Sequence, residues 1–165
     1  MAGKFERKFF SDINLNDPFF DSLKADYPGS ATSTGFIDWF QRKAADGKKA
    51  LVFEDEQGVA AFICLKPETE SIQLTNCELP CKARLKISTI KIDNRYQHQR
   101  LGEGAIGLTL WHWLAFKREE IYLTVFDKHS PLISLLEKFG FSHIGYNQNG
   151  ERVYLKSRNH IDLSD

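Results

Sequence analysis

Hydrophobic and polar positions in the first 65 residues change period several times, which predicts strands and helices in turn. Asp17 and Pro18 form a helix entry, because aspartate caps a helix N-terminus and proline fits its first position. Asp46-Gly47 ends a second helical stripe of apolar residues. The elements predicted for this part of the chain are a strand, two helices and two strands, over residues 4–10, 19–27, 34–45, 50–54 and 59–65.

The second half of the chain carries the longer periodic segments. Polar residues dominate 67–80, which is predicted as a long connection. Residues 82–92 alternate as a strand, with Leu85 and Ile87 on one face. The clearest helical periodicity covers residues 101–119. The remaining elements are predicted as a strand, a short helix and a final hairpin, over residues 121–126, 130–138, 141–146 and 151–156.

This order of elements predicts the fold class. Strands joined first by hairpins and later through a helix predict an α/β fold, with a mixed sheet and helices on both of its faces. The chain has 165 residues, of which 42% are hydrophobic. Because that is the size of one globular domain, we predict a single domain over residues 1–165.

Charge and composition narrow the classes of function. Lys and Arg number 22, as do Asp and Glu, so no net field concentrates nucleic acid and no nucleic-acid partner is expected. No apolar run has the length of a membrane span, and the polar start does not form a secretory signal, which predicts a cytoplasmic protein without a membrane partner. Three cysteines without zinc-ligand spacing predict neither a disulfide framework nor a metal site. Formation of a homodimer is left open.

The candidate chemistry lies in the sequence Gln99-Arg100-Leu101-Gly102-Glu103-Gly104. It follows the predicted strand 82–92 and opens the predicted helix 101–119. Unpaired N–H groups and partial positive charge at a helix N-terminus bind phosphate, and glycines lack the Cβ that would keep a ligand from the backbone. Two glycines at this spacing also occur in tight turns and in close helix packing. Both interpretations stand at this point.

The same residues resemble the coenzyme A pyrophosphate loop of the GNAT N-acetyltransferase superfamily, written Q/R-x-x-G-x-G/A. Gln99, Gly102 and Gly104 match that pattern. The downstream order is similar too, because in this family a strand, a short helix ending near Gly-Phe and a final hairpin follow the pyrophosphate helix. Residues 139–141 of this chain are Phe-Gly-Phe. The resemblance covers residues 50–157 and implies a GNAT-like, mostly antiparallel sheet with a splayed strand pair that holds acetyl-CoA.

The resemblance implies an N-acetyltransferase with acetyl-CoA, a form of coenzyme A, as its acyl donor. The pyrophosphate would accept hydrogen bonds from backbone N–H groups, and the Arg100 side chain would add a charge-assisted bond. The acyl group and the pantetheine arm would contact main chain at the end of the strand before the loop. The residues implied for binding acetyl-CoA are Ile90, Lys91, Ile92, Gln99, Arg100, Leu101, Gly102, Glu103, Gly104 and Ala105.

The resemblance also implies direct attack of a neutral primary amine on the thioester, which needs a base for the ammonium proton and an acid for the departing sulfur. The tyrosine that many family members use as the acid is replaced by Leu136, which cannot donate a proton. His129 stands where the family has an asparagine and is the candidate catalytic residue. The candidates for the base stay open and are Glu54, Glu68, Glu70, Glu78, Glu103, His98 and His112.

The acceptor is not identified beyond a primary amine of a small molecule, peptide or protein. Aromatic residues of the N-terminal helices either line its pocket or form core, and core is favoured. Residues 68–82 are a second candidate for a pocket wall, because long irregular loops in compact domains are frequently functional. A catalytically weak acyl-CoA-binding sensor or interaction module is an alternative function. Acetylation of aminoacyl-tRNA is another, and the zero net charge does not support it.

Overall fold

The computed structural model describes residues 4–30, 35–93 and 100–158. Within these residues the strands are β1 Phe5–Phe9, β2 Lys49–Asp55, β3 Gly58–Gln73, β4 Glu78–Ile92, β5 Glu120–Val125, β6 Ser142–Tyr146 and β7 Arg152–Ser157. The α-helices are α1 Asp21–Asp26, α2 Phe36–Ala45, α3 Leu101–Phe116 and α4 Ser130–Lys138. The strands follow the order β1-β2-β3-β4-β5-β7-β6 in one sheet.

The sheet is mixed and mostly antiparallel, which confirms the predicted α/β class. β4 and β5 are parallel. The registered pairs β1–β2, β2–β3, β5–β7 and β6–β7 are antiparallel. A parallel pair needs a crossover connection, and α3 supplies it between β4 and β5.

The segment predicted as a long polar connection is a β-hairpin. β3 continues to Gln73 and β4 begins at Glu78, so the predicted connection over 67–80 is wrong. The pocket wall that we expected from an irregular loop over 68–82 loses its basis. Ile72 and Leu74 are buried with Tyr122 in a small core. Most other side chains of the hairpin are exposed, so its sequence lacks the apolar alternation that marks a half-buried strand.

The chain divides into two compact units, and the first contains residues up to Cys64 together with the end of β4 from Ile90. Its core is aromatic. The rings of Phe20 and Phe62 are 5.3 Å apart, and those of Phe10 and Phe40 are 4.9 Å apart. The predicted core role of the aromatic residues in the N-terminal helices is therefore confirmed for Phe19, Phe20, Phe36 and Phe40, all of which are buried.

The second unit contains residues 65–89 and the described residues from Arg100 onward. Its α4 ends in the turn that the Phe-Gly-Phe sequence predicted. The N–H groups of Gly140 and Phe141 donate to the carbonyls of Glu137 and Leu136, at 3.1 and 3.0 Å. Gly140 has a φ of +89°, which favours glycine, and the buried Phe141 anchors the turn.

The parallel strands β4 and β5 pair over a short stretch within the second unit. Their register covers Arg84–Glu120, Leu85–Ile121 and Lys86–Tyr122. β4 continues to Ile92 and β5 to Val125, whereas every residue of β5 is registered with β7. Over the described residues, the two parallel strands therefore separate after Lys86 and Tyr122, as expected for the splayed pair.

Candidate active site

The first turn of α3 has the geometry of an anion site. Arg100 is its N-cap residue, and the carbonyl of Arg100 accepts the N–H of Gly104 at 3.0 Å. The N–H groups of residues 101–103 precede that bond and have no partner within the helix. Gln99 and His98 lie outside the described residues. The part of the predicted loop that the structure describes therefore offers three consecutive backbone donors.

The glycines of α3 have different surroundings. A Cβ added to Gly102 would lie 2.6 Å from Cδ1 of Leu135, so glycine at this position lets α3 pack closely on α4. A Cβ added to Gly104 would meet nothing within 4 Å, and the same is true of Gly107. Gly102 thus satisfies the packing interpretation, while the space beside Gly104 in the first turn is open to a ligand.

Glu103 would repel a phosphate unless its charge were compensated, and the structure compensates it. Its Oε1 lies 2.8 Å from Nζ of Lys138 at the end of α4. The hydrogen bond and charge of Lys138 lower the pKa of Glu103, and Arg100 adds to the effect. The Glu103 carboxylate is therefore ionised and paired with a lysine. The backbone N–H groups of the first turn can then attract an anion without strong opposition from this carboxylate.

His129 and Leu136 occupy the two ends of α4. His129 is the N-cap residue, where its N–H donates to the Phe126 carbonyl at 3.1 Å and its carbonyl accepts the Ile133 N–H at 3.0 Å. Its imidazole makes no capping hydrogen bond and is half-buried. Leu136 is fully buried. The position at which the resemblance implies the acid therefore belongs to the core of this protein.

The end of β4 carries the residues expected to contact the acyl group. Ile90, Lys91 and Ile92 are half-buried in the first unit. Nζ of Lys91 donates to the carbonyl of Phe19 and lies 4.6 Å from the centroid of the Phe19 ring. Burial lowers the pKa of Lys91, and nearby aspartates, of which Asp93 acts most strongly, oppose that shift.

β5 carries aliphatic side chains on one face and hydroxyl side chains on the other, which we call its polar face although Tyr122 also packs against Ile72 and Leu74. Its apolar face consists of Ile121, Leu123 and Val125, all buried. Tyr122 and Thr124 project from the opposite face, because side chains alternate along a strand. Tyr154 is registered with Leu123, and its hydroxyl donates to Glu137 of α4 at 2.7 Å. α4 therefore covers the apolar face, and Tyr122 and Thr124 point away from it.

Each polar side chain of β5 at the splay bonds a buried carboxylate. The Tyr122 hydroxyl donates to Oε1 of Glu68, and the Thr124 hydroxyl donates to Oε2 of Glu151 at 3.2 Å. Glu68 is 8% exposed and Glu151 is 4% exposed, and in the described part of the chain they are the only buried carboxylates. Because acidic side chains are rarely buried, we treat these two carboxylates as candidates for a functional role.

The candidates for the base differ in burial. Glu68 is buried, whereas the other predicted carboxylates, Glu54, Glu70, Glu78 and Glu103, are exposed or half-buried. Glu54 pairs with Lys8. The ring of His112 lies 5.1 Å from that of Trp111 on α3, in keeping with a residue packed on the helix surface.

Sequence reasoning did not predict Tyr122 or Glu151 as site residues. Tyr122 was counted only as part of the predicted strand over residues 121–126, although a buried tyrosine hydroxyl needs a polar partner. That partner, Glu68, is 54 residues away in the sequence. Glu151 was read as the first residue of a hairpin strand, and nothing in its local sequence indicates burial.

Comparisons with known proteins agree with this fold. Residues 16–141 match the model of the Acetyltransferase (GNAT) family. The chain is similar to NAA60 of Arabidopsis thaliana in complex with acetyl-CoA, with 14% identity, a TM-score of 0.62, and 96% of this chain and 99% of that chain covered. It is also similar to Ard1 of Thermoplasma volcanium, with 15% identity, a TM-score of 0.64, and 95% and 98% covered.

A curated relative matches a shorter stretch. Over 75 residues the chain is 33% identical to the spermine/spermidine N(1)-acetyltransferase of Bacillus subtilis strain 168, which is 44% of this chain and 49% of that protein. The chain thus matches about half the length of this relative. Within the described residues, no helix is both long and apolar enough to cross a membrane.

Proposed function

The chain belongs to the GNAT acetyltransferase family, and we propose that it transfers the acetyl group of acetyl-CoA to a primary amine of a small molecule, peptide or protein. The observation that carries this proposal is the first turn of α3, with its three backbone donors and the open space beside Gly104. The family match runs through both compact units, which supports one acetyltransferase domain over residues 1–165.

The residues at the start of α3 fit the pyrophosphate of the donor. The N–H groups of residues 101–103 would bind its oxygens, and Arg100 would add a charge-assisted hydrogen bond. Gly104 contributes clearance rather than a donor, because its own N–H is bonded to Arg100. Gln99 and Ala105 complete the proposed loop.

The chemistry requires a deprotonated amine, a polarised thioester carbonyl and a leaving sulfur. The main chain of Ile90, Lys91 and Ile92 is proposed to contact the acyl group, where an N–H would stabilise negative charge on the carbonyl oxygen. The lone pair of the neutral amine would attack the carbonyl carbon, the C–S bond would break, the sulfur would leave as thiolate, and the nitrogen would lose one proton to give the amide. His129 is proposed to protonate that sulfur.

The acceptor is proposed to be a cationic amine, and polyamines are its first candidates. The curated relative is named for spermine and spermidine. Spermidine is therefore the first amine to assay.

Binding of acetyl-CoA is expected to raise the melting temperature. A ligand at one hundred times its dissociation constant adds about 2.7 kcal/mol to the stability of the folded state. For a protein of this size that corresponds to a rise of about 5–10 °C. Free coenzyme A should give a similar rise, because it carries the same pyrophosphate. If millimolar acetyl-CoA leaves the melting curve unchanged, the proposed function fails at its first step.

Replacing His129 with alanine is expected to lower kcat by about tenfold or more, because general acids typically contribute a hundredfold or more and water can partly substitute for the lost acid. The Kd of acetyl-CoA should stay the same, since the proposed contacts of α3 are untouched. Initial rates and calorimetric titration separate the two effects. Equal kcat values for the variant and the parent protein would remove His129 from the mechanism.

A second function is favoured by one observation, the fully buried Leu136 at the usual position of the acid. A protein without that acid could bind acyl-CoA and act as a sensor or interaction module. Tight binding of acetyl-CoA without turnover of spermidine or of a panel of primary amines would support this alternative. Release of free coenzyme A that depends on the amine would exclude it.

A further inference from the structure

The Tyr122 and Glu68 side chains form a buried pair next to the point where β4 and β5 separate, and their hydrogen bond shows which atom carries the proton. Tyr122 belongs to the last registered pair of β4 and β5. Its hydroxyl donates to Oε1 of Glu68. A tyrosine hydroxyl has one proton to donate and lone pairs that accept. Because the hydroxyl proton is already donated in the hydrogen bond to Glu68, only the lone pairs of the Tyr122 oxygen remain to accept from another partner.

Glu68 is held in place by neighbouring cations. Nζ of Lys66 lies 3.3 Å from its Oε2, and Nη1 of Arg118 donates to its backbone carbonyl at 2.9 Å. Lys86, which is registered with Tyr122, has its Nζ 6.0 Å from the centroid of the Tyr122 ring. These contacts leave the carboxylate buried, oriented and compensated by positive charge.

The same surroundings set the protonation of the pair. Burial raises the pKa of Glu68, but the Tyr122 hydrogen bond and the charges of Lys86 and Lys66 outweigh burial and leave that pKa below its usual range. Burial and the Glu68 carboxylate raise the pKa of Tyr122. At neutral pH the pair is therefore a protonated tyrosine bonded to an ionised glutamate. The other charged groups facing the pair are Glu70 and Arg84.

We propose that Tyr122 and Glu68 form the proton relay that activates the acceptor amine. The ammonium N–H bond breaks as its proton moves to the Tyr122 oxygen, and the original hydroxyl proton moves to Oε1 of Glu68. The nitrogen keeps its electron pair for attack on the thioester, Tyr122 is again neutral, and Glu68 becomes a carboxylic acid. The relay rests on the proposed function and assigns its general base to a pair on the polar face of β5.

The dependence of kcat/KM on pH tests the relay, with spermidine as the amine. A protein that binds the ammonium form and deprotonates it has a nearly constant kcat/KM between the pKa of Glu68 and that of the amine. A protein without the relay must bind the neutral amine, whose concentration rises tenfold per pH unit. For Glu68→Gln and Tyr122→Phe we expect log(kcat/KM) to rise with a slope near one per pH unit between pH 6 and 9. At pH 7 we expect kcat/KM to be about a hundredfold lower than in the parent protein.

Tyr154→Phe is the matched control. Tyr154 also donates its hydroxyl to a glutamate, Glu137, but on the face of the sheet that α4 covers. Its removal costs a similar hydrogen bond and should leave the pH profile flat. Tyr122→Phe keeps the ring packing, so it tests the relay even if Glu68→Gln fails to fold.

The outcomes separate the relay from the proposed function. A flat profile in both Tyr122→Phe and the parent protein overturns the relay. Binding of acetyl-CoA, measured on each variant by its thermal shift, should stay the same, because the start of α3 is unchanged. Absence of turnover in the parent protein, with acetyl-CoA bound, would instead count against amine acetylation itself and the relay with it.

Discussion

Replacing Gly104 with glutamate is expected to abolish binding of acetyl-CoA while leaving the protein folded. The added side chain meets no atom within 4 Å at its Cβ, so it fits without strain. Its carboxylate would occupy the space proposed for the pyrophosphate. Two unit charges of the same sign about 4 Å apart repel by about 4 kcal/mol near a protein surface, which corresponds to roughly a thousandfold in Kd. Calorimetric titration measures this loss.

Gly107→Glu provides the control for that experiment. It makes the same change in charge and volume one turn further along α3, where a Cβ also meets nothing within 4 Å. Both substitutions replace glycine within a helix, so neither variant should be less stable than the parent protein, because glycine is a poor helix former. Equal loss of binding in both variants, or no loss in Gly104→Glu, would contradict the proposed placement of the pyrophosphate.

Replacing Arg84 with methionine is expected to lower the free energy of unfolding by about 3–5 kcal/mol, as is typical when one partner of a buried ion pair is removed. The Arg84 side chain is 3% exposed, and its Nε lies 2.6 Å from Oε1 of Glu120. Its Nη1 also donates to the Glu70 carbonyl at 3.0 Å. The substitution leaves Glu120 with less compensation and the carbonyl without this donor. Urea denaturation measures the loss.

Lys82→Met tests whether burial of the Arg84 side chain is the reason for the large expected loss of stability. Nζ of Lys82 lies 3.0 Å from Oε2 of Glu119 and 3.7 Å from Oε2 of Glu120, but its side chain is 38% exposed. Solvent-exposed ion pairs contribute little, since water screens both charges. We expect an unfolding midpoint close to that of the parent protein. Similar shifts of the urea midpoint in the two variants would mean that the Arg84–Glu120 ion pair contributes no more to stability than a surface pair.

Local signals in the sequence predicted the parts of the fold that depend on neighbouring residues. The bounds of α4 were predicted correctly, because proline at its second position and Gly140 after its end both act within one turn. The start of α3 was predicted from six consecutive residues. The hairpin of β3 and β4 was missed, because it is stabilised by burial of Ile72 and Leu74 against distant strands.

The candidate site shows the same division between local and distant determinants. The backbone donors at the start of α3 could be predicted, since a glycine-bearing helix start implies them wherever it occurs. Glu68 was one of several candidates for the base, and only the pairing of β5 with its neighbours brings Tyr122 to it. Side-chain partners 54 residues apart depend on the register of the sheet, which composition and periodicity do not specify.

The two sides of β5 are expected to differ in how their backbone amides exchange hydrogen with solvent. All six residues, Glu120 to Val125, are registered with β7, so amides on that side exchange only when the sheet itself opens. On the β4 side the register ends at Tyr122. Amides beyond it that point toward β4 lie in the opening where the donor is proposed to bind. We therefore expect a single strand to combine slowly exchanging amides with amides whose exchange would report binding of the donor.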